Sequence, residues 1–309
     1  MVDALAERFP GRAIYAITRP ACRDLWHGVL PPERVLTASA VTSDRRREPA
    51  RWAPLVGEAL GMAGRHFCLA VDLTGNRYSA ALTFLVRPDC SLGFDGNELG
   101  CLYSCRVADV ERADEHLSRR PFRVIEPLLS PRAFAHHVHR PIRPPAPTRD
   151  PADVVGQLRL AGRPYGVLAP GAGWPGKQWP AQRFVEVGRR LSGQGWGCVV
   201  TGSQSQQPLC RQVAHRIGRA PVFIGRPLGE VVALLSLAAG VAANDSGIAH
   251  LAAALGRRTA AVFTGATEPR KCGPLGRPEL VRAFFTPVEP GEVAGFLTAN
   301  QEFQIGTSE

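Results

Sequence analysis

The stretch 237–256, LAAGVAANDSGIAHLAAALG, contains the pattern that decides the fold. Its apolar first part is typical of a buried strand, and its last part is rich in alanine and leucine, as in a helix that packs on a sheet. Asp245 or Ser246 can cap this helix, whose free N–H groups and dipole attract an anion. His250 follows Ser246 by four residues and shares its helical face. The segment therefore predicts an anion-binding strand–turn–helix; an ordinary capped helix with a hydrogen-bonded histidine is the alternative.

A second strand–loop–helix pattern lies at residues 165–180. The apolar run from Tyr165 to Ala169 precedes the loop PGAGWPGKQWP at 170–180. Glycines in such a loop leave backbone N–H groups open to phosphate oxygens, and Pro180 suits the first position of the next helix. Only two of the 37 lysines and arginines are lysines, and one of them is Lys177 in this loop. Because a compact ammonium binds phosphate as a point charge, the loop favours a phosphate ligand, with chance use of lysine as the alternative.

Together the two segments resemble the signature of glycosyltransferase family 9, the ADP-heptose:lipopolysaccharide heptosyltransferases. The matching residues occur in the family's order and spacing: Pro170 to Trp174, Lys177, Trp179-Pro180, Phe184, Val199 to Gly202, and Asp245 to Ala254. The resemblance implies an α/β fold of GT-B type, with two Rossmann-like, doubly wound domains facing a cleft.

The same resemblance implies roles for individual residues. Lys177 would stabilise the leaving diphosphate as the catalytic cation. Gln206 stands where the family often has a glutamate that touches the nucleotide ribose, and it can still hydrogen-bond a hydroxyl. The expected donor-binding residues are Ala172, Gly173, Gln206, Asp245, Ser246, Gly247 and His250.

Strands and helices alternate clearly in the second half of the chain. The pattern predicts strands at 165–169, 196–201, 221–224, 240–243 and 259–263, and helices at 180–192, 206–217, 228–238 and 246–255. Such alternation is typical of a parallel sheet with helices on both faces. Five prolines between 141 and 151 predict a stiff, extended connector. We therefore expect an acceptor-side domain at 1–140, a linker at 141–158 and a donor-binding domain at 159–309.

The first half carries a weaker pattern of the same kind. Runs at 13–18, 35–37 and 68–73 read as strands separated by helical stretches. The segment from Asp72 to Ala80 resembles the family's D-L-Q-G-x-x-R-S-A, and Gly93-Phe94-Asp95 matches the G-F-D that follows. These matches imply an acceptor-side turn, with a simple strand–turn–helix as the alternative.

The start of the chain departs from the family pattern. Family members open with a strand and a Gly-Asp turn, whose aspartate is the proposed base for the acceptor hydroxyl. Here residues 1–9 already read as the following helix, and Phe9-Pro10-Gly11 matches the end of that helix. The resemblance thus implies that the first, central strand is absent from this sequence. We expect a start upstream of Met1 that supplies a strand ending in Gly-Asp; a natural chain without that aspartate, in which catalysis is in doubt, is the alternative. A base inside the chain would have to be sought first at Asp72 and Asp95.

Composition agrees with a globular two-domain protein. The chain has 309 residues, of which 45% are hydrophobic and 21% charged. It has neither an apolar run of about 20 residues nor a signal-peptide pattern at its start. We therefore expect a cytoplasmic protein, which could also bind peripherally to the inner face of the inner membrane. The net charge of +10 suits a phosphorylated acceptor or an anionic membrane, but a high-GC genome that loads its proteins with arginine is the favoured explanation. No nucleic-acid-binding signature accompanies the charge.

The cysteines and histidines do not predict a metal site. The eight cysteines have no C-x-x-C spacing, which favours reduced, mostly buried thiols. His136-His137-x-His139 lies in a polar stretch before the linker and is a weak candidate for metal binding. We expect no metal and no cofactor, because Lys177 and a helix start can stabilise the leaving phosphate.

The sequence as a whole predicts an inverting glycosyltransferase. It would move a heptose or related sugar from an ADP-sugar to a hydroxyl of a glycan or lipid-linked acceptor such as the lipopolysaccharide core. A catalytically impaired sugar-nucleotide-binding paralogue and a GT-B enzyme that uses a UDP-sugar remain the alternatives.

Overall fold

The computed structural model describes residues 1–39, 50, 52–62, 64–110 and 115–299. The chain divides into two compact units, Met1–Pro141 and Ile142–Glu309.

The second unit is built on one six-stranded sheet in which every neighbouring pair is parallel. Its strands are β6 (Tyr165–Ala169), β7 (Gly197–Gly202), β8 (Val222–Ile224), β9 (Gly240–Asn244), β10 (Arg258–Phe263) and β11 (Val281–Phe285), in the order β11-β10-β9-β6-β7-β8. Its helices are α5 (Pro151–Gln157), α6 (Ala181–Gly193), α7 (Gln207–Gly218), α8 (Leu228–Ser236), α9 (Gly247–Ala254), α10 (Pro269–Cys272) and α11 (Pro290–Thr298). All strands and helices that the alternation predicts in this unit are confirmed, each end within two residues.

The sheet of the second unit is buried on both faces. Every residue of β6 and of β9 is buried. Leu168 and Ala242 join the apolar cluster of α6, α7 and α11, while their neighbours Val167 and Val241 join the cluster of α5, α8 and α9 on the other face. A strand covered on both faces carries a continuous apolar run, which is why these strands were readable from the sequence.

The predicted linker at 141–158 is wrong in its second half. Residues 151–157 form α5, which packs against α8. The Asp150 carboxylate accepts a hydrogen bond from the Ala152 N–H at 2.9 Å, and Pro151 occupies the first turn. Val154 and Val155 are buried in the core of the second unit. A proline-rich stretch can thus start a helix, because proline fits the first turn and an aspartate before it supplies the cap.

The described residues of the first unit form two parallel sheets instead of one. Its strands are β1 (Ala16–Thr18), β2 (Val35–Thr37), β3 (Leu69–Val71), β4 (Cys90–Phe94) and β5 (Cys105–Val107), and its helices are α1 (Val2–Arg8), α2 (Trp52–Met62), α3 (Arg77–Leu85) and α4 (Pro131–Val138). One sheet has the order β1-β2 and the other the order β3-β4-β5. The helix expected at the start of the chain is confirmed as α1.

The split in the first unit leaves two strands with one open edge each. Within the described residues, β1 pairs only with β2 and β3 only with β4. Ile17 of β1 is 37% exposed, and no residue of β3 is fully buried, in contrast to β6 and β9. The rings of Tyr15 and Phe67, which precede the two strands, lie 5.7 Å apart. The starts of β1 and β3 thus lie close to each other, and the open edge of each strand has no strand partner within the described residues.

The histidine-rich segment belongs to α4. His137 is buried, and its Nε2 lies 2.9 Å from Glu7 Oε2 on α1. The described residues contain no group of three or more histidine, cysteine or acidic side chains that could hold a metal ion, and all eight cysteines are free. Among the described helices, none has the length and apolar character needed to cross a membrane.

Candidate functional site

The ends of two neighbouring strands bring Lys177 and Asp245 together in the second unit. β6 and β9 are adjacent and parallel, so the loop after β6 and the turn after β9 leave the sheet at the same edge. Lys177 Nζ donates a hydrogen bond to Asp245 Oδ2 at 2.6 Å. Asp245 is only 7% exposed, so solvent screens its charge poorly. The ammonium of Lys177 balances this buried carboxylate.

Further side chains converge on the Asp245 carboxylate. Thr267, in the loop after β10, donates to Oδ2 at 2.7 Å. His250 Nε2 lies 4.0 Å from Oδ1, and the His250 side chain is 44% exposed. Burial, and next the Asp245 charge, raise the pKa of the Cys272 thiol. The sequence analysis identified Lys177, Asp245 and His250 but missed Thr267, whose only signal is its place after a predicted strand.

The start of α9 differs from the capped helix that the sequence predicts. Ser246 is the N-cap residue, but its side chain makes no capping hydrogen bond, and the Asp245 side chain is bonded to Lys177 and Thr267 instead. Ser246 Oγ is buried and finds no hydrogen-bond partner in the described part of the chain. Gly247 is the first residue of the helix, where N–H groups have no intrahelical acceptor. This turn therefore holds unused hydrogen-bonding groups beside the Lys177–Asp245 pair.

The glycine-rich loop after β6 has the same property. Residues 171–174 include Ala172 and Gly173, and none of their N–H groups donates to an acceptor within the described residues. Ala172 is buried, whereas Gly173 and Trp174 are exposed. A run of unbonded N–H groups forms a concave partial positive charge, which is a common anion-binding arrangement.

Gln206 lies next to this loop, with both ends of its amide already bonded. Its Nε2 donates to the Ala172 carbonyl at 3.1 Å, and its Oε1 accepts from the Ser203 N–H at 3.0 Å. The structure thus brings together all the donor-site candidates of the sequence analysis, but it gives Gln206 protein partners that the sequence did not indicate.

In the first unit, Asp72 closes a turn. Its Oδ1 accepts from the N–H groups of Thr74 and Gly75 at 2.8 and 3.1 Å, and its Oδ2 accepts from the Tyr103 hydroxyl at 2.6 Å. Burial and the Asp72 charge raise the pKa of Tyr103 well above its ordinary value. Both carboxylate oxygens of Asp72 are thus engaged by the turn and by Tyr103.

The other acidic candidate has a different environment. Asp95 follows β4 and is exposed, and its Oδ1 accepts from the Asp109 N–H at 3.1 Å. The Asn76 side chain caps α3, so the segment from Asp72 to Ala80 contains a turn and the start of a helix. A contact between this segment and an acceptor stays a prediction.

Comparison with known proteins supports a single family. The model of "Glycosyltransferase family 9 (heptosyltransferase)" matches residues 59–282, which is more than half of the chain. Lipopolysaccharide heptosyltransferase 1 of Pseudomonas aeruginosa is 32% identical over 120 residues, which cover 38% of this chain and 34% of that protein. Lipooligosaccharide heptosyltransferase 2 of Haemophilus influenzae is 29% identical over 150 residues, 44% of this chain and 43% of that protein. The matched stretch is therefore less than half the length of either relative.

Solved structures show the same fold. ADP-heptose lipopolysaccharide heptosyltransferase II of Escherichia coli has a TM-score of 0.76 at 18% identity, with 96% of this chain and 92% of that chain covered. A family 9 glycosyltransferase of Veillonella parvula has a TM-score of 0.79 at 15% identity, with 96% and 91% covered. The motifs at the strand ends, the fold and the family model agree, and the chain belongs to glycosyltransferase family 9.

Proposed function

We propose that this chain is an inverting glycosyltransferase that moves a heptose or related sugar from an ADP-sugar to a hydroxyl of the lipopolysaccharide core or a similar glycan. The observation that carries the proposal is the Lys177–Asp245 pair beside two sets of unbonded N–H groups, one in the loop at 171–174 and one at the start of α9. A cation and converging backbone donors are what a diphosphate leaving group requires.

The proposed chemistry is a single displacement at the anomeric carbon. An acceptor hydroxyl oxygen attacks that carbon from the face opposite the diphosphate, the bond to the phosphate oxygen breaks, and the nucleoside diphosphate leaves with the bonding electron pair. Negative charge therefore grows on the β-phosphate, next to Lys177 and the N–H groups. Preorganised donors of this kind stabilise a transition state because they need no reorientation as the charge develops.

The remaining side chains have roles in holding the donor. Asp245 keeps Lys177 in place and offers its Oδ1 to a sugar hydroxyl, and His250 lies close to that oxygen. Ser246 Oγ donates to a phosphate oxygen, which gives this buried hydroxyl the partner it lacks among the described residues. The acceptor proton passes to a base that this proposal leaves unassigned, because Asp72 is bonded to the turn and to Tyr103.

The proposal is tested by incubating the chain with ADP-heptose and a lipopolysaccharide core acceptor. The expected result is release of ADP together with an acceptor heavier by one heptose, whose new bond has the anomeric configuration opposite to that of the donor. Retention of configuration, or absence of both donor binding and transfer, contradicts the proposal.

A catalytically impaired sugar-nucleotide-binding protein is the second candidate. The observation that favours it is the full set of hydrogen bonds at Asp72, which leaves the acceptor side without an evident base at that position. Binding of ADP-heptose without turnover, with the acceptor present, supports this candidate. A thermal-shift panel of ADP- and UDP-sugars decides the nucleotide, and a larger shift with UDP-sugars excludes the heptosyl form of the proposal.

The proposed partners follow from the proposed reaction. The donor is a nucleotide sugar, and the acceptor is a glycan or lipid-linked glycan presented at the cytoplasmic face of a membrane. The net charge of +10 supports peripheral contact with anionic lipid. Co-sedimentation with anionic vesicles that weakens with salt, and no co-sedimentation with neutral vesicles, is the expected result.

A further inference from the structure

The loop after β6 is held through its carbonyl oxygens by side chains from three other strand ends. Asn244, the last residue of β9, donates from Nδ2 to the Pro170 carbonyl at 2.8 Å and to the Gly171 carbonyl at 3.4 Å. Gln206, after β7, donates to the Ala172 carbonyl at 3.1 Å. Beyond β10, Thr264 Oγ1 donates to the Gly176 carbonyl at 2.6 Å.

This arrangement fixes where the N–H groups of the loop point. In an extended or turning backbone the C=O and N–H groups of one peptide plane point in opposite directions. When the carbonyls of residues 170–172 are bonded to side chains of the sheet, the N–H groups of residues 171–173 must point away from those side chains. Their lack of acceptors within the described residues agrees with this orientation.

We infer that Gln206 is a positioning residue, which turns the N–H groups of the loop towards an anion by holding the Ala172 carbonyl. The inference rests on the proposed function, because it takes the anion to be the diphosphate of the donor. It also changes the role of Gln206 from a group that contacts the nucleotide to one that acts through the loop backbone.

An amide can make both of the observed bonds, whereas a charged carboxylate of the same length cannot. The Oε1 atom must accept from the Ser203 N–H, and the Nε2 atom must donate to the Ala172 carbonyl. A glutamate would accept at the first position but would place a carboxylate oxygen against a carbonyl oxygen at the second. A protonated glutamic acid restores the donor.

The packing around Gln206 explains why the loop needs a glycine. A Cβ on Gly171 would lie 2.2 Å from Gln206 Cδ, so the amide lies flat against the Gly171 backbone. Asn244 has a comparable pair of bonds, since its Oδ1 accepts from the Trp179 N–H at 2.9 Å. The loop is thus held between two side-chain amides, each bonded at both ends.

The test is the pH dependence of Gln206→Glu, compared with wild type and with Gln194→Glu, which adds the same charge at an exposed position. The Kd for ADP is measured by calorimetry from about pH 8 down to about pH 5, where a partly buried glutamate takes up its proton. At about pH 8 we expect Gln206→Glu to bind ADP about tenfold more weakly than wild type. The variant loses one hydrogen bond there and places a carboxylate oxygen against a carbonyl oxygen. The ratio of the Kd of Gln206→Glu to that of wild type should approach one as the pH falls. The corresponding ratio for Gln194→Glu should be one at every pH.

A ratio that does not change with pH, or unaltered binding by Gln206→Glu at every pH, overturns the inference. Gln206→Met adds a variant that makes neither bond, and its weakened binding should be independent of pH. Hydrogen exchange without ligand gives a second readout at Lys177, Gln178 and Trp179, whose N–H groups are bonded to Trp174, Pro175 and Asn244. Relative to wild type at the same pH, exchange there should be faster in Gln206→Glu at high pH and equal at low pH. This readout separates the two proposals: if wild type does not bind ADP, the proposed function fails, while exchange in the loop still decides the role of Gln206.

Discussion

Lys177 Nζ and Asp245 Oδ2 lie 2.6 Å apart and join the loop after β6 to the turn after β9. The two residues are 68 positions apart in the chain, and parallel pairing of their strands brings them to the same edge. Since Thr267 donates to the same oxygen, the carboxylate holds the ammonium in one place while its other oxygen remains near His250. The ion pair therefore positions a cation beside backbone donors, which the first two predictions test.

Lys177→Ala should lower turnover by about 100-fold or more, because it removes one preorganised electrostatic stabiliser of the leaving group. Steady-state kinetics with ADP-heptose, together with circular dichroism to confirm folding, provide the measurement. Arg189→Ala is the control: this cation bonds to the Arg216 carbonyl on the helical surface, and its loss should leave turnover within a few-fold of wild type. Turnover of Lys177→Ala close to that of wild type would remove Lys177 from the mechanism.

Asp245→Ala and His250→Ala should separate binding from stability. Asp245 is buried and accepts from Lys177 and Thr267, so its loss should cost about 1–3 kcal/mol of unfolding free energy as well as donor affinity. His250 is half-exposed, so its loss should weaken donor binding with little change in Tm. Calorimetry with ADP-heptose and thermal denaturation measure the two effects. Normal affinity in both variants with large losses of Tm would show that these residues serve only the fold.

Ser246→Ala should leave stability unchanged and weaken donor binding by a few-fold. The hydroxyl is buried and makes no capping bond, so its removal breaks no hydrogen bond seen in the described residues. Ser130→Ala is the matched control, because Ser130 Oγ does accept from the Ala133 N–H and its loss should cost about 0.5–2 kcal/mol. If Ser246→Ala lost as much stability as Ser130→Ala with unchanged affinity, the hydroxyl would belong to the helix and not to a ligand.

Tyr103→Phe should destabilise the first unit without altering the chemical step. The variant leaves Asp72 Oδ2 without its hydroxyl donor, at a cost of about 1–3 kcal/mol near neutral pH. The raised pKa of Tyr103 also predicts a pH dependence. Its folded form stays protonated where the unfolded form ionises, so this contribution to stability is present below about pH 10 and is lost as the pH rises above it.

Urea unfolding at about pH 8 and about pH 11 tests this sign, since wild type should lose stability over that interval and Tyr103→Phe should lose less of it. Tyr15→Phe, at a half-exposed position, serves as the control. Equal losses in Tyr103→Phe and wild type, or a collapse of turnover in folded Tyr103→Phe, would contradict the structural role of the pair.

Amide hydrogens of β1 and β3 should exchange faster than those of β6 and β9. In the part of the chain that the structure describes, β1 and β3 each have one open edge and partly exposed side chains, whereas β6 and β9 are paired and covered on both sides. Hydrogen exchange followed by mass spectrometry measures the difference. Equal protection of all four strands would contradict the prediction that the open edges of β1 and β3 make these strands less stable.

The fold of the second unit could be predicted because its strands are continuous apolar runs and its helices alternate with them. The meeting of Lys177 and Asp245 follows from parallel topology, which places polar residues after strands at one edge. Gln206, Asn244 and Thr264 could not be assigned to the loop carbonyls from sequence, since the partner of a side-chain amide or hydroxyl depends on distances that only tertiary packing sets. The helix within the predicted linker was missed because proline both ends extended segments and begins helices.

The position of Trp174 gives the loop an optical property. Its indole is 50% exposed, and a Cβ on Gly176 would lie 2.1 Å from the ring, so the ring rests on the backbone of the loop. Trp179 and Trp196 are buried in the core of the same unit. Emission from an indole depends on nearby charge and water, so a diphosphate that binds beside Trp174, as proposed, should change the fluorescence of the protein. On the proposed function, the loop thereby contains its own spectroscopic probe, and stopped-flow fluorescence should follow the binding and release of a nucleotide without any added label.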